Sequence, residues 1–183
     1  MKYDSLFAGF SEITLMPPCG DKVPDAIRGI RLPREYAEFL AEHDGARLVY
    51  DRSSLELDPM YVELFSVSDM LTGARYRDSF GGYLGSELTM REDFQNPHVG
   101  MRTTANGTPY DDAPELFKRF YDDHLVIGCA WSPWDDDVRY IAPLAISRDG
   151  AYILAYDDHI ERGAPEAWRG ASLRELLEQA REL

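Results

Sequence analysis

Apolar positions recur along this chain with a period that changes several times, and each change marks an element. Between residues 32 and 45, Leu32, Tyr36, Phe39, Leu40 and His43 recur at three- and four-residue spacing, which places them on one face of a helix. Pro33 suits the first turn of that helix, where its missing N–H is harmless, and Gly45 suits a left-handed stop. Residues 47–51 and 61–65 read as strands, with Leu55, Asp58 and Pro59 in the turn region between them. Residues 66–71 make a short helix or turn. A second helical stripe, Leu116, Phe117, Phe120 and Tyr121, runs over 113–121. Strands follow at 125–131, 140–147 and 151–156. The last two are joined by Arg148-Asp149-Gly150, and Asp-Gly between apolar runs signals a hairpin. Ser172-Leu173-Arg174-Glu175 is a capping box, and Leu173, Leu176, Leu177 and Ala180 form the buried side of the helix it opens.

Two regions lack a clear period. The first thirty residues carry Pro17-Pro18, Gly20, Pro24 and Gly29 and read as a short strand or helix at 10–15 followed by a loop. Residues 73–112 hold six glycines and two prolines, with helix returning locally at 87–93. A structureless stretch of that length is unusual inside a compact domain, so an ordered insertion or functional loop is expected there. Strands and helices are segregated rather than alternating, which predicts an α+β fold with a mostly antiparallel sheet flanked by helices. The 183 residues fit one domain, 1–183, with the insertion at about 73–112. A domain of this size buries roughly 70% of its unfolded surface and needs no metal or disulfide to hold together.

The order of these segments resembles the SUKH superfamily, the Smi/Knr-like domain. Leu32-Pro33 followed by Tyr36, Phe39, Leu40 and the closing Gly45 is similar to that family's opening signature. Val62-Glu63-Leu64-Phe65 resembles its next element, and Asp122-Asp123-His124-Leu125-Val126-Ile127-Gly128 resembles its strand-entry motif. The Asp149-Gly150 hairpin and the Ser172-Leu173 helix stand in the expected order. The match covers about two-thirds of the chain and departs from the pattern between Gly73 and Asp112. The resemblance implies a SUKH-like sheet flanked by helices and no shared catalytic residues, and no cofactor is expected. It also implies a role like that of the bacterial immunity proteins, which neutralise toxins, often nucleases, by direct binding.

Charge sharpens the picture. With 33 acidic against 19 basic residues the chain nets −14, a field that repels nucleic acid and anionic membranes and speeds encounter with basic partners. Eight acids between Asn106 and Asp137 face only Lys118 and Arg119, and Asp157-Asp158 follows. Three readings are open for Asp122, Asp123, Asp135, Asp136, Asp137, Asp157 and Asp158. They are solvated strand-end turns, a docking surface for a basic partner, or a divalent-metal site serving a hydrolase. The spacing after Asp135 is not that of a calcium loop, which needs Gly at the sixth position and Glu at the twelfth. Trp131 reads as core. Trp134, in a proline turn beside three aspartates, reads either as an interface anchor or as a loop aromatic folded back on the sheet.

The chain carries no zinc-protease, hydrolase-elbow or phosphate-loop motif. A relay of Cys129 with a His-Asp pair has none of its geometry encoded nearby. Cys19 and Cys129 lack metal-ligand spacing and read as reduced thiols of a cytoplasmic protein. No apolar run approaches the ~20 residues that span a bilayer, and the first residues lack the apolar core of an export signal. The expectation is therefore a cytoplasmic, non-catalytic binding domain. Its partner is a basic toxin domain or, in the alternative, an endogenous protein that it regulates or scaffolds.

Overall fold

The apolar stripe at 32–45 folds as helix α1 (Arg34–Glu42), with Tyr36, Phe39 and Leu40 fully buried. Burying each of these is worth about 2 kcal/mol, which is what fixes the helix to the core. The computed structural model describes residues 3, 5–18, 23–72, 119–120, 122–132, 140–155, 164 and 166–183. The insertion expected at 73–112 and most of the helix expected at 113–121 lie outside the described residues. Both ends of α1 differ from expectation. Pro33 is the N-cap, with extended ψ of 142°, rather than a first-turn residue, and His43 is the C-cap. Gly45 does not stop the helix. Its φ is +111°, and a Cβ there would stand 2.6 Å from the Leu64 carbonyl oxygen, so glycine is demanded by the close approach of the next hairpin.

The sheet strands are β1 (Glu12–Leu15), β4 (Ala46–Tyr50), β5 (Met60–Leu64), β6 (His124–Ser132), β7 (Tyr140–Ser147), β8 (Tyr152–Ala155) and β9 (Glu166–Gly170). They form one sheet in the order β1-β4-β5-β6-β7-β8-β9, and each neighbouring pair is antiparallel. A separate hairpin of β2 (Ala26–Ile27) and β3 (Ile30–Arg31) occupies part of what reads as loop, turning through Arg28 at φ 53°. Helix α2 (Val67–Thr72) follows β5, and α3 (Leu173–Arg181) ends the described chain order. The fold is α+β with a mostly antiparallel sheet.

Register assigns side chains to faces. Leu48, Val62, Ala130 and Ala142 form one cross-strand row, and Ala46, Leu64, Gly128 and Leu144 the next. These rows face α1 and α3. Tyr36 Oη donates to the Ile127 carbonyl, and α3 packs on β8 and β9. Ile127 is the extra residue of a bulge in β6, and its carbonyl also accepts from Phe65 N–H at 2.8 Å, so the irregular peptide stays satisfied. The opposite face carries Cys129, Trp131, Ala145 and Ile153, which are buried as well. Burial on both faces explains why β6 reads as an unbroken apolar run instead of an alternation.

Capping completes the helices. Ser172 Oγ accepts from Glu175 N–H while the Glu175 carboxylate accepts from Ser172 N–H, the expected box. Glu35 of α1 adds a third contact, accepting from Leu173 N–H at 2.5 Å, so a carboxylate sits at the positive end of α3. Ser66 caps α2 through Asp69 N–H, and Asp44 accepts from Val67 N–H. The N-terminal segment closes over α1. Tyr3 packs edge-on against Phe39, and Arg181 donates to the Ala8 carbonyl while lying over the Phe10 and Tyr50 rings.

Candidate interaction surface

An antiparallel sheet delivers alternate connections to one end. Tyr50 closes β4 opposite Met60, and Ser132 closes β6 opposite Tyr140. Because Leu144 pairs with Leu154, β8 also ends, at Ala155, toward that side. The strand ends that flank residues 51–59, 133–139 and 156–163 therefore share one end of the sheet.

Residues 51–59 are the described connection there. Two donors converge on one carbonyl: Leu55 N–H at 2.8 Å and Leu57 N–H at 3.3 Å both bond Arg52 O. The Arg52 side chain is buried, with Nε donating to the Asp58 carbonyl and Nη2 to Ser132 Oγ, both at 2.7 Å. Ser132 Oγ in turn donates to the Pro59 carbonyl at 3.3 Å. The guanidinium thus pins the loop to the end of β6. Among the described residues no carboxylate pairs with it. Asp51 Oδ1 accepts from Ser53 N–H, and that bond together with the Ser53 hydroxyl holds the Asp51 carboxyl below its ordinary range. The loop shows Asp51, Ser53, Ser54, Leu55, Glu56, Leu57 and Asp58 to solvent.

At the other end of the sheet Asp123, Asp149 and Glu166 each meet an arginine. Asp122 and Asp123 precede β6, so nine strand residues separate them from 133–139. Arg148 lies over both, donating to the Asp122 carbonyl at 2.5 Å and to Asp123 Oδ1 at 3.5 Å. Asp149 accepts from the Ser147 hydroxyl and pairs with Arg169, and these contacts hold its carboxyl below the usual range. Arg169 also pairs with Glu166 at 2.9 Å. His124 is buried against Phe120, ring centroids 4.5 Å apart, and its Nδ1 donates to the Phe120 carbonyl. The other ring nitrogen lies 3.7 Å from Glu166, a contact that reaches across β7 and β8.

Inside the sheet a polar row crosses three strands: Arg47, Glu63 and Cys129 are successive register partners. Arg47 Nε lies 3.6 Å from Glu63. Burial, then the Glu63 carboxylate, pushes the Cys129 thiol up, so it stays protonated and is a poor nucleophile. Tyr152 behaves similarly, its ionisation raised by burial and by nearby Glu35. A cavity of about 280 Å³ opens beside Asp44, Arg47, Glu63 and Asp69, and another of about 350 Å³ beside Tyr3, Glu35 and Arg174. Among the described residues no three His, Cys, Asp or Glu side chains converge to hold a metal ion. No helix among them is long and apolar enough to cross a membrane.

Of the eight residues proposed from sequence as partner-binding, two fall among the described residues. Asp122 and Asp123 stand at one end of β6, bound by Arg148, while Trp134, Asp135, Asp136, Asp137, Asp157 and Asp158 lie outside the described residues. Trp131 is core, stacked on Tyr61 at 4.4 Å. Sequence reasoning passed over Arg52 and Leu57. The available signal was Leu-Glu-Leu-Asp, apolar residues alternating with acids inside a turn. Comparison with known proteins found no matching family model, no similar curated protein and no similar solved structure.

Proposed function

We propose that this chain is a non-catalytic, SUKH-like protein-binding domain that neutralises a cognate bacterial toxin domain, basic and of nuclease character, by direct binding. The observation that carries the reading is acid at strand ends that has no basic partner among the described residues. Asp51, Glu56 and Asp58 stand in the β4–β5 connection of a chain with net charge −14. The sequence adds Asp135, Asp136, Asp137, Asp157 and Asp158, in segments that follow β6 and β8. Such a field accelerates encounter with a cationic surface and rejects anionic ones. The α+β sheet flanked by helices is also the architecture that the resemblance implies.

The experiment is co-expression with the variable C-terminal toxin domain of a large secreted protein encoded directly upstream. Growth should be rescued, and the two chains should co-purify. Asp135→Lys with Asp137→Lys should slow association in a salt-dependent way, whereas Trp134→Ala should act mainly on dissociation. Absence of both rescue and co-purification removes the neutralising role and leaves an endogenous partner as the reading.

A further inference from the structure

We infer that the loop at 51–59 is the docking knob of this chain, with Leu55 and Leu57 as apolar anchors, Asp51, Glu56 and Asp58 as their rim, and a basic protein presenting an apolar pocket bordered by Lys and Arg as the occupant. The inference rests on the preceding reading for the class of partner and adds the surface that meets it.

Exposure comes first. Large apolar side chains left in solvent among the described residues are Ile13, Leu55, Leu57 and Leu71, and two of these fall two positions apart in one loop at 64% and 48% exposure. Single exposed leucines need no explanation; a pair on one tip is different. The loop is also ordered in advance. The chain on either side of the leucines is tied by Arg52, through its carbonyl to Leu55 and Leu57 N–H and through its side chain to Asp58 and Ser132. Glu56, between the leucines, holds a left-handed φ of 56°. A tip already fixed loses little entropy on docking, so apolar contact there converts efficiently into affinity.

Charge then selects the occupant. No basic side chain among the described residues pairs with Asp51, Glu56 or Asp58, and the only cation of the loop, Arg52, is turned inward and buried. A second copy of the chain would bring three acids against three, on a background of −14 per copy. An anionic lipid surface is repelled for the same reason. A cationic rim around an apolar pocket satisfies both features at once.

The test places the photocrosslinking residue p-benzoylphenylalanine at positions 55, 57, 13 and 71 of the full chain, one at a time, in the cells that carry the gene. Crosslinks at 55 and 57 to one basic protein, with none at 13 and 71, are expected. With that protein purified, Leu55→Ser/Leu57→Ser should weaken binding by about tenfold per leucine, mostly through the off-rate, at an unchanged melting midpoint. Asp58→Lys should instead slow association at low salt. Crosslinks at 13 or 71 alone, or to an acidic protein or a second copy, overturn the inference. Toxin neutralisation without crosslinks at 55 or 57 overturns it while leaving the proposed function standing. Absence of both neutralisation and crosslinks removes the two together.

Discussion

Arg52 carries a charge into the protein with hydrogen bonds but, among the described residues, no carboxylate to meet it. Two terms of similar size compete there. Each bond from a charged donor is worth about 1.5–3 kcal/mol, while desolvating the guanidinium costs several kcal/mol. Arg52→Met abolishes both terms together. Arg52→Lys keeps the buried charge, but a single ammonium cannot span the Asp58 carbonyl and Ser132 Oγ as the planar fork does. The conservative variant should therefore be the worse one, losing about 2–3 kcal/mol, with Arg52→Met less affected. Urea denaturation of the two variants decides the order. A larger loss for Arg52→Met would mean that the bonds outweigh desolvation.

The strand pair β5–β6 shows how much one element can constrain another. A Cβ on Gly128 would stand 2.2 Å from the Glu63 carbonyl oxygen, a backbone atom that cannot turn aside. Gly128→Ala must push β5 from β6 and should cost about 3 kcal/mol or more. Gly150→Ala meets nothing within 4 Å and bears only the strain of φ +86°, about 1–2 kcal/mol. Denaturation midpoints of the two variants test that ranking, and equal losses would show that the bulge yields. Neither the bulge nor its glycine is legible in the sequence, because the contact joins residues distant along the chain. By contrast α1, α3 and the strands from β4 to β8 are legible, since their apolar period and turn residues are local. Strand β9 is not: Glu166-Ala167-Trp168-Arg169-Gly170 lies at an edge, half-exposed, with no alternation to read. The nine residues of β6 separate Asp122 and Asp123 from its far end; which other connections share that far end depends on sheet order, and no local pattern encodes sheet order. Arg52 escaped notice because only a tertiary partner, Ser132, gives a turn arginine its role.

At the scale of the molecule, salt acts on two opposed kinds of interaction. The surface pairs Arg34–Glu38, Arg174–Glu178 and Arg148–Asp123 are exposed and weaken as salt rises. Repulsion among 33 acids against 19 bases weakens too, and that screening favours the compact state. Exposed pairs are each worth about 0–1 kcal/mol, so the excess of 14 negative charges should dominate. Raising ionic strength from about 0.01 M to about 1 M shortens the screening length from about 30 Å to about 3 Å, and the melting midpoint should rise across that range. Association with a basic partner should respond with the opposite sign, because the long-range attraction that speeds encounter is lost. Scanning calorimetry and stopped-flow association over one salt series measure both. A midpoint that falls with salt would show that the ion pairs outweigh the repulsion. An on-rate that does not change would show that the acidity of this chain serves solubility rather than recognition.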